Sequence, residues 1–170
     1  MINILAKEFI EQSIHRLGEN TAKINACLNE LSENDIWQSP GTTSNSIGNL
    51  VLHLCGNVTQ YVISSLGETE DIRERDKEFS TKDGYTGSML LNKLTGTVSK
   101  AIDVIKKLDE KGLMKIYSVQ GFDLSGVGII IHVSEHYSYH TGQIVFRTKQ
   151  LKNKDMGFYA NIDLNKKNKN

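Results

Sequence analysis

The chain has 170 residues, with 20 basic and 20 acidic side chains and a formal net charge of zero. We expect one domain over residues 1–160 and a polar tail over 161–170, because this length suits a single core. A chain without net charge has no long-range attraction to nucleic acid or to an anionic membrane, so neither is an expected partner. Its apolar runs are shorter than a membrane span, and its first residues lack a secretory signal pattern, which predicts a cytoplasmic protein.

Two long helices are predicted in the first half of the chain. Apolar residues recur at spacings of three, four and seven over 3–31, as on one face of an amphipathic helix. A second helix follows a serine cap, at Ser44 or Ser46, and runs to about Leu66. Its first three turns are apolar on nearly every side, which is typical of a buried helix. His53 therefore lies in the interior, where a polar side chain needs partners.

The second half contains two more long helices. Met and aliphatic residues form an apolar stripe over 86–108, and Gly112 is a candidate for the residue that ends this third helix. Asp123 or Ser125 is expected to cap a fourth helix, which reaches about Leu151. The predicted fold is therefore an all-α four-helix bundle.

Two connectors separate these helices. From residue 67 to residue 85, 11 of 19 residues are charged, which predicts a solvated crossover or lid. A connection of this length can span a bundle, so the second and third helices need not be antiparallel neighbours. Residues 114–124 include a short β-like stretch and predict an extended or hairpin connector.

Three of the five histidines, His132, His136 and His140, recur four residues apart in the fourth helix. Each step of four turns about 40° and rises about 6 Å, so neighbouring histidines share one face of the helix. The outer two are about 12 Å apart, too far to share an ion whose nitrogen bonds are about 2.1 Å. One adjacent pair can bind a metal ion with a ligand from elsewhere; otherwise these histidines are hydrogen-bonded core residues.

His53 is the candidate for the third ligand, because closure of the bundle brings it against one of these pairs. Three imidazoles with an open fourth position are typical of a catalytic metal site rather than a structural one. Nitrogen ligands favour Zn²⁺, Ni²⁺ or Fe²⁺, and relative affinity does not select among them. His15 has no histidine nearby and is interpreted as a surface residue. Cys55 lies about 200° around the helix from His53, so it is expected to face away from the ion.

Two motifs together resemble the DinB-like superfamily of metal-binding bundles. They are SNSIGNLVLHL at 44–54 and HxxxHTGQ at 136–143. The segments at 75–79 and 157–159 are similar to a branch of the superfamily catalogued as a domain of unknown function. The likeness covers roughly residues 3–160.

The resemblance implies a fold, an oligomeric state and a ligand set. The fold is a four-helix bundle in up-down-down-up order, with one long crossover between the second and third helices. The oligomer is a homodimer. The metal ligands are His53, His136 and His140.

Three further polar residues are candidates for lining the pocket. His132 lies one turn before the assigned pair, where it can donate a hydrogen bond to the ligand shell, line the pocket or be a satisfied core residue. Gln143 lies three residues after that pair. Asn57 shares the helix face of His53.

Characterised relatives in the superfamily include bacillithiol and mycothiol S-transferases and maleylpyruvate isomerase-like enzymes, which place a divalent metal near a small thiol. A bound cation deprotonates a coordinating thiol, so the resemblance implies a metal-dependent thiol S-transferase whose partners are a small thiol and an electrophile. The same site can lower the pKa of bound water to about 7, which suits a hydrolase. A stress-associated bundle that binds metal without catalysis is the remaining hypothesis.

Overall fold

The computed structural model describes residues 3–169 and is mainly helical, which confirms the predicted all-α class. None of the helices in this part of the chain is long and apolar enough to cross a membrane. The described helices and strands, in chain order, are α1 (Ile4–Glu30), α2 (Glu33–Trp37), α3 (Ile47–Val58), a π-helical segment (Thr59–Leu66), α4 (Arg75–Ser80), α5 (Gly87–Ile105), α6 (Glu110–Met114), β1 (Ile116–Val119), β2 (Phe122–Ser125) and α7 (Gly126–Lys152).

The long helices enclose one core. Helix α1 packs against α5 and α7, and α3 packs against the same two helices. Each helix turns an aliphatic stripe inward, and about 25 cal/mol is gained per Å² of apolar surface removed from water. Representative side chains with at most 1% exposure are Leu17, Ile24, Leu54, Leu94, Ile105 and Ile129.

Serine caps begin the two helices that carry the histidines. Ser46 accepts a hydrogen bond from the Asn49 amide (3.1 Å), and the Asn49 side chain accepts one from the Ser46 amide (3.2 Å). This reciprocal capping box fixes the start of α3. Ser125 caps α7 by accepting from the Gly128 amide at 3.0 Å. The cap of α3 is therefore Ser46 rather than Ser44, and the cap of α7 is Ser125 rather than Asp123.

The predicted role of Gly112 at the end of the third helix is wrong. Gly112 does not end the third helix, because α5 stops at Ile105 and Gly112 lies within α6. Its amide donates to the Asp109 carboxylate at 2.8 Å, so Asp109 caps α6 and starts a new helix where an end was expected. Of the two predicted forms of this connector, extended or hairpin, the structure has the hairpin: β1 and β2 pair antiparallel. Gln120 and Gly121 form its turn with φ of 53° and 82°, as tight hairpins require.

The charged crossover is not solvated throughout. It contains α4, which packs against α3, and the Glu78 side chain there is only 8% exposed. Asn49 anchors this segment by donating its amide hydrogens to the backbone oxygens of Glu78 (2.9 Å) and Thr81 (2.7 Å). The expectation of a solvated connector is therefore wrong for the part that passes behind His53.

Candidate metal centre

The structure brings His53, His136 and His140 together. Their donor atoms all lie within 4.8 Å of one another, and the His53 and His136 Nε2 atoms are 2.9 Å apart. In a tetrahedral site with bonds of about 2.1 Å, ligand nitrogens are about 3.4 Å apart. A divalent cation therefore fits after an outward shift of about half an ångström by these two rings. The proposed ligand set is sterically compatible with one ion.

A buried carboxylate orients His53. The Nδ1 atom of His53 lies 2.9 Å from Glu78 Oε2. Arg73 holds the same carboxylate from the other side, with its Nε donating to Oε1 at 2.7 Å and its Nη2 to Oε2 at 2.9 Å. Burial opposes ionisation of Glu78, but hydrogen bonds from Arg73 and His53 outweigh it and hold the Glu78 pKa below its usual value. An ionised Glu78 fixes the proton of His53 on Nδ1 and leaves Nε2 for a cation.

Arg73 also approaches His53 directly, because its Nη2 lies 3.2 Å from Nδ1. Arginine has no acceptor and Nδ1 carries one proton at most, so only one of the two contacts at Nδ1 is a hydrogen bond to it. The shorter contact, to a charged acceptor, makes Nδ1 the donor to Glu78.

The two candidate ligands from α7, His136 and His140, are uncharged at neutral pH. Burial lowers the pKa of His136 to about 3, with further lowering from the neighbouring His140 and His53. Burial also lowers the His140 pKa, while its contact with Gln143 opposes this. The His140 Nδ1 lies 2.7 Å from Gln143 Oε1, which leaves Nε2 free. Neutral imidazole is the form that binds a metal ion.

His132 lies outside the donor group, in the wall beside it. Its ring stacks on His136 with centroids 5.5 Å apart and on Tyr61 at 4.3 Å. Its Nε2 is 3.5 Å from the Asn57 amide nitrogen, at the limit of a hydrogen bond. Burial lowers the His132 pKa, so this ring too is neutral at pH 7.

Two cavities with different lining residues reach the cluster. One of about 410 Å³ is lined by His53, His136, His132 and Asn57, together with residues from the crossover and the hairpin. Another of about 510 Å³ is lined by His140 and Gln143. The three pocket candidates therefore do not share one cavity, since His132 and Asn57 lie in the first and Gln143 in the second.

Sequence reasoning missed the residues that contact the candidate ligands and their neighbour His132. Glu78 and Arg73 lie in a stretch where most residues are charged, so charge alone did not mark them. Tyr61 lies in the π-helical segment, which predictions based on α-helical spacing do not anticipate. By contrast, His15 is exposed, as expected. Burial raises the pKa of the Cys55 thiol to about 12, so it is not a thiolate at neutral pH.

The protein has a helical fold with a cluster of three histidines, and comparison with solved structures finds the same fold in DinB-like proteins. The fold is similar to DinB-like proteins from Bacillus cereus (14% identity, 84% of this chain and 92% of that chain covered, TM-score 0.67) and Bacillus subtilis (YjoA; 16%, 85% and 94%, 0.66). It is also similar to a conserved protein from Enterococcus faecalis (12%, 85% and 97%, 0.72). At these identities the likeness establishes the fold alone, and it confirms the DinB-like resemblance predicted from the motifs.

The chain belongs to the family described as "Protein of unknown function (DUF1572)", whose model matches residues 4–163. No curated protein matches the chain.

Proposed function

We propose that the protein binds one divalent metal ion through His53, His136 and His140 and acts as a metal-dependent thiol S-transferase. The observation that carries this proposal is the convergence of three imidazoles, with donor atoms within 4.8 Å, beside a cavity of about 410 Å³. Within residues 3–169 no cysteine, aspartate or glutamate joins the cluster as a fourth ligand. Three protein ligands leave a position for a substrate atom, which is the pattern of catalytic sites.

A divalent ion at this site supplies a positive charge that favours thiolate over thiol at neutral pH. Around it, Glu78 holds the Nδ1 proton of His53, and Gln143 orients His140. His132, uncharged and in the cavity wall, accepts the proton that the thiol releases. The sulfur electron pair then forms a bond to a carbon atom of the electrophile, and the leaving group departs with the pair that bound it. The proton passes from His132 to solvent.

The ion is Zn²⁺, Ni²⁺ or Fe²⁺ in this proposal, since all three accept imidazole nitrogen. The same donors suit a hydrolase that uses metal-activated water, or a metal-binding bundle without catalysis. The cavity beside the cluster favours the first two over the third, because an ion with only a structural role does not require an accessible space next to it.

We also propose the up-down-down-up helix order and a homodimer in the cytoplasm, as in the resembling superfamily. Two contacts support α1 and α7 as parallel neighbours: Thr21 contacts Tyr137, and further along both segments Glu30 contacts Lys154. Two other contacts support α3 and α7 as antiparallel neighbours: His53 contacts His136, and Asn57, further along α3, contacts His132, which is earlier in α7.

The experiment follows loss of a small thiol in the presence of monochlorobimane, in which sulfur displaces chloride. Protein loaded with about one ion per chain should accelerate the reaction, and chelation or His53→Ala should abolish the acceleration. His132→Ala should lower the rate about 100-fold, as for loss of a general base, while the ion stays bound. His15→Ala is the matched control on the surface and should change neither quantity.

Equal rates for fully loaded and metal-free protein across a panel of thiols would contradict the transferase. Ester or amide hydrolysis that needs the ion would then favour the hydrolase.

A further inference from the structure

The cavity on the His132 side of the cluster contains two arginines in different states. Arg73 is engaged: Glu78 and Gln60 accept hydrogen bonds from its guanidinium, and its side chain is 3% exposed. Arg75 has its guanidinium over the Phe79 ring, 4.9 Å from the centroid. No ion pair or hydrogen bond formed within residues 3–169 occupies that guanidinium. Arg75 is thus a positioned cation with free donors.

No acidic side chain within residues 3–169 forms an ion pair with Arg75. No acidic side chain of the described residues lines the cavity. Glu78 pairs with Arg73 and His53. Two acids flank Arg75 in sequence: Glu74 pairs with Lys77 at 2.7 Å, and Asp76 is exposed and does not line the cavity. A cavity with one free cation and no facing carboxylate attracts an anion.

A second donor faces the same cavity from the hairpin. The Tyr61 hydroxyl donates to Gln120 Oε1 at 2.9 Å, which fixes the amide and leaves the Gln120 NH₂ without a protein partner among the described residues. Phe122, also from the hairpin and 60% exposed, adds an aromatic wall. The walls therefore combine free donors with apolar surface, as small-molecule sites do.

We propose that this cavity is a carboxylate-binding subsite, in which Arg75 and the Gln120 amide bind the acid group of a small substrate with an apolar body. The guanidinium fork matches two carboxylate oxygens, and such charge-assisted contacts are stronger than neutral ones. The acid group belongs to the thiol or to its electrophile, so the subsite rests on the proposed function for its role in a reaction. Its binding can be measured without turnover.

The test titrates metal-loaded full-length protein with 3-phenylpropionate and, as the neutral match, 3-phenylpropan-1-ol at constant ionic strength. Binding is followed by NMR through arginine Nε–H and glutamine amide signals, with the Arg75 signal assigned from its absence in Arg75→Gln. The Arg75 and Gln120 signals should shift with the acid, and the alcohol should bind at least about 10-fold more weakly. In Arg75→Gln the acid should bind no better than the alcohol, whereas Arg16→Gln, on the outer face of α1, should behave as wild type.

Equal affinity for acid and alcohol in the wild type, or a preference for the acid that survives Arg75→Gln, would overturn the subsite. The second of these results would assign the acid to the metal ion itself. Absence of any acid binding would overturn it as well. Arg75 is exposed, so folding of the variant is expected and is checked by its melting temperature.

A parallel assay with 3-mercaptopropionate and 3-mercapto-1-propanol separates the two proposals. If neither thiol is consumed but acid binding needs Arg75, the subsite stands and the transferase falls. If both thiols are consumed equally and acid binding ignores Arg75, the transferase stands and the subsite falls.

Discussion

Helix α7 carries two polar rows, one residue apart in sequence, that are satisfied in different ways. On the row that faces α1, the Tyr137 hydroxyl lies 2.8 Å from the Thr21 hydroxyl, and Thr141 donates to the Tyr137 carbonyl at 2.8 Å. On the other row, His136 meets a second imidazole nitrogen, that of His53, at 2.9 Å. The first row pairs donors with acceptors inside the protein. The second joins two imidazole nitrogens, and each of them can bind a cation when it carries no proton.

Asn57 extends this difference to the cavity wall. It is 4% exposed, and its Oδ1 atom has no hydrogen-bond partner among the described residues. A buried polar atom without a partner costs about 1–3 kcal/mol, so such atoms are rare in purely structural regions. Asn57 lines the same cavity as His132 and His136, so its free acceptor is available to a ligand bound there.

The largest expected effect is the loss of metal in a variant of the histidine row, compared with a variant of the neighbouring residue on the other row. His136→Ala removes one of three ligands and should reduce metal content from about one ion per chain to almost none. Tyr137→Phe removes only the contact with Thr21 and should cost about 1 kcal/mol of unfolding free energy, with metal content unchanged. Metal analysis of the purified proteins and urea unfolding measure the two quantities.

Full metal content in the His136 variant would show that the ion binds elsewhere. Loss of the ion in the Tyr137 variant would show that the two rows are not independent.

The second prediction concerns pH and the metal-free protein. The His136 pKa is about 3 in the fold, against about 6.5 in an unfolded chain. Between these values the unfolded state binds a proton that the folded state does not. The free energy of unfolding is therefore highest above pH 6.5 and decreases as the pH is lowered. From pH 7 to pH 4 this group should cost roughly 3 kcal/mol.

Urea unfolding at pH 7, 5.5 and 4 measures whether the free energy of unfolding decreases as the pH is lowered. His136→Gln should have a shallower dependence than the wild type by about that amount, and Tyr137→Phe should retain the wild-type dependence. Parallel curves for wild type and His136→Gln would show that His136 is not buried as neutral imidazole.

The histidine row was predictable from sequence because its signal is a spacing. Four-residue steps place histidines on one face whatever surrounds them. His53 was found by a different signal, the apolar character of α3 on nearly all sides. Spacing treats the pairs His132 with His136 and His136 with His140 alike, and only the family resemblance selected the second, which is the pair that the structure places against His53.

The supporting residues were not predictable because their signal lies in tertiary contacts. Glu78 is one acid among eleven charged residues in the crossover, and what distinguishes it is burial behind His53. Tyr61 reaches His132 from a segment with π-helical hydrogen bonds, where the angular spacing of side chains differs from that of an α-helix. Local periodicity gives neither fact.

The smallest of the three expected effects tests the support of the histidine row rather than the row itself. Glu78→Gln keeps the size of the side chain but removes the charge that fixes the His53 proton on Nδ1. Loss of such a partner typically reduces metal affinity about 10- to 100-fold, so the ion should still bind at high concentration. Glu74→Gln, in the same crossover but paired with Lys77 at the surface, is the matched control and should leave affinity unchanged.

The Glu78→Gln variant leaves Arg73 without its counter-charge. The free energy of unfolding is therefore measured in parallel with metal affinity, which is obtained by competition with a chelator. A lower stability with unchanged metal affinity would restrict Glu78 to neutralising Arg73, and the two rows of α7 would then differ only in the histidines themselves.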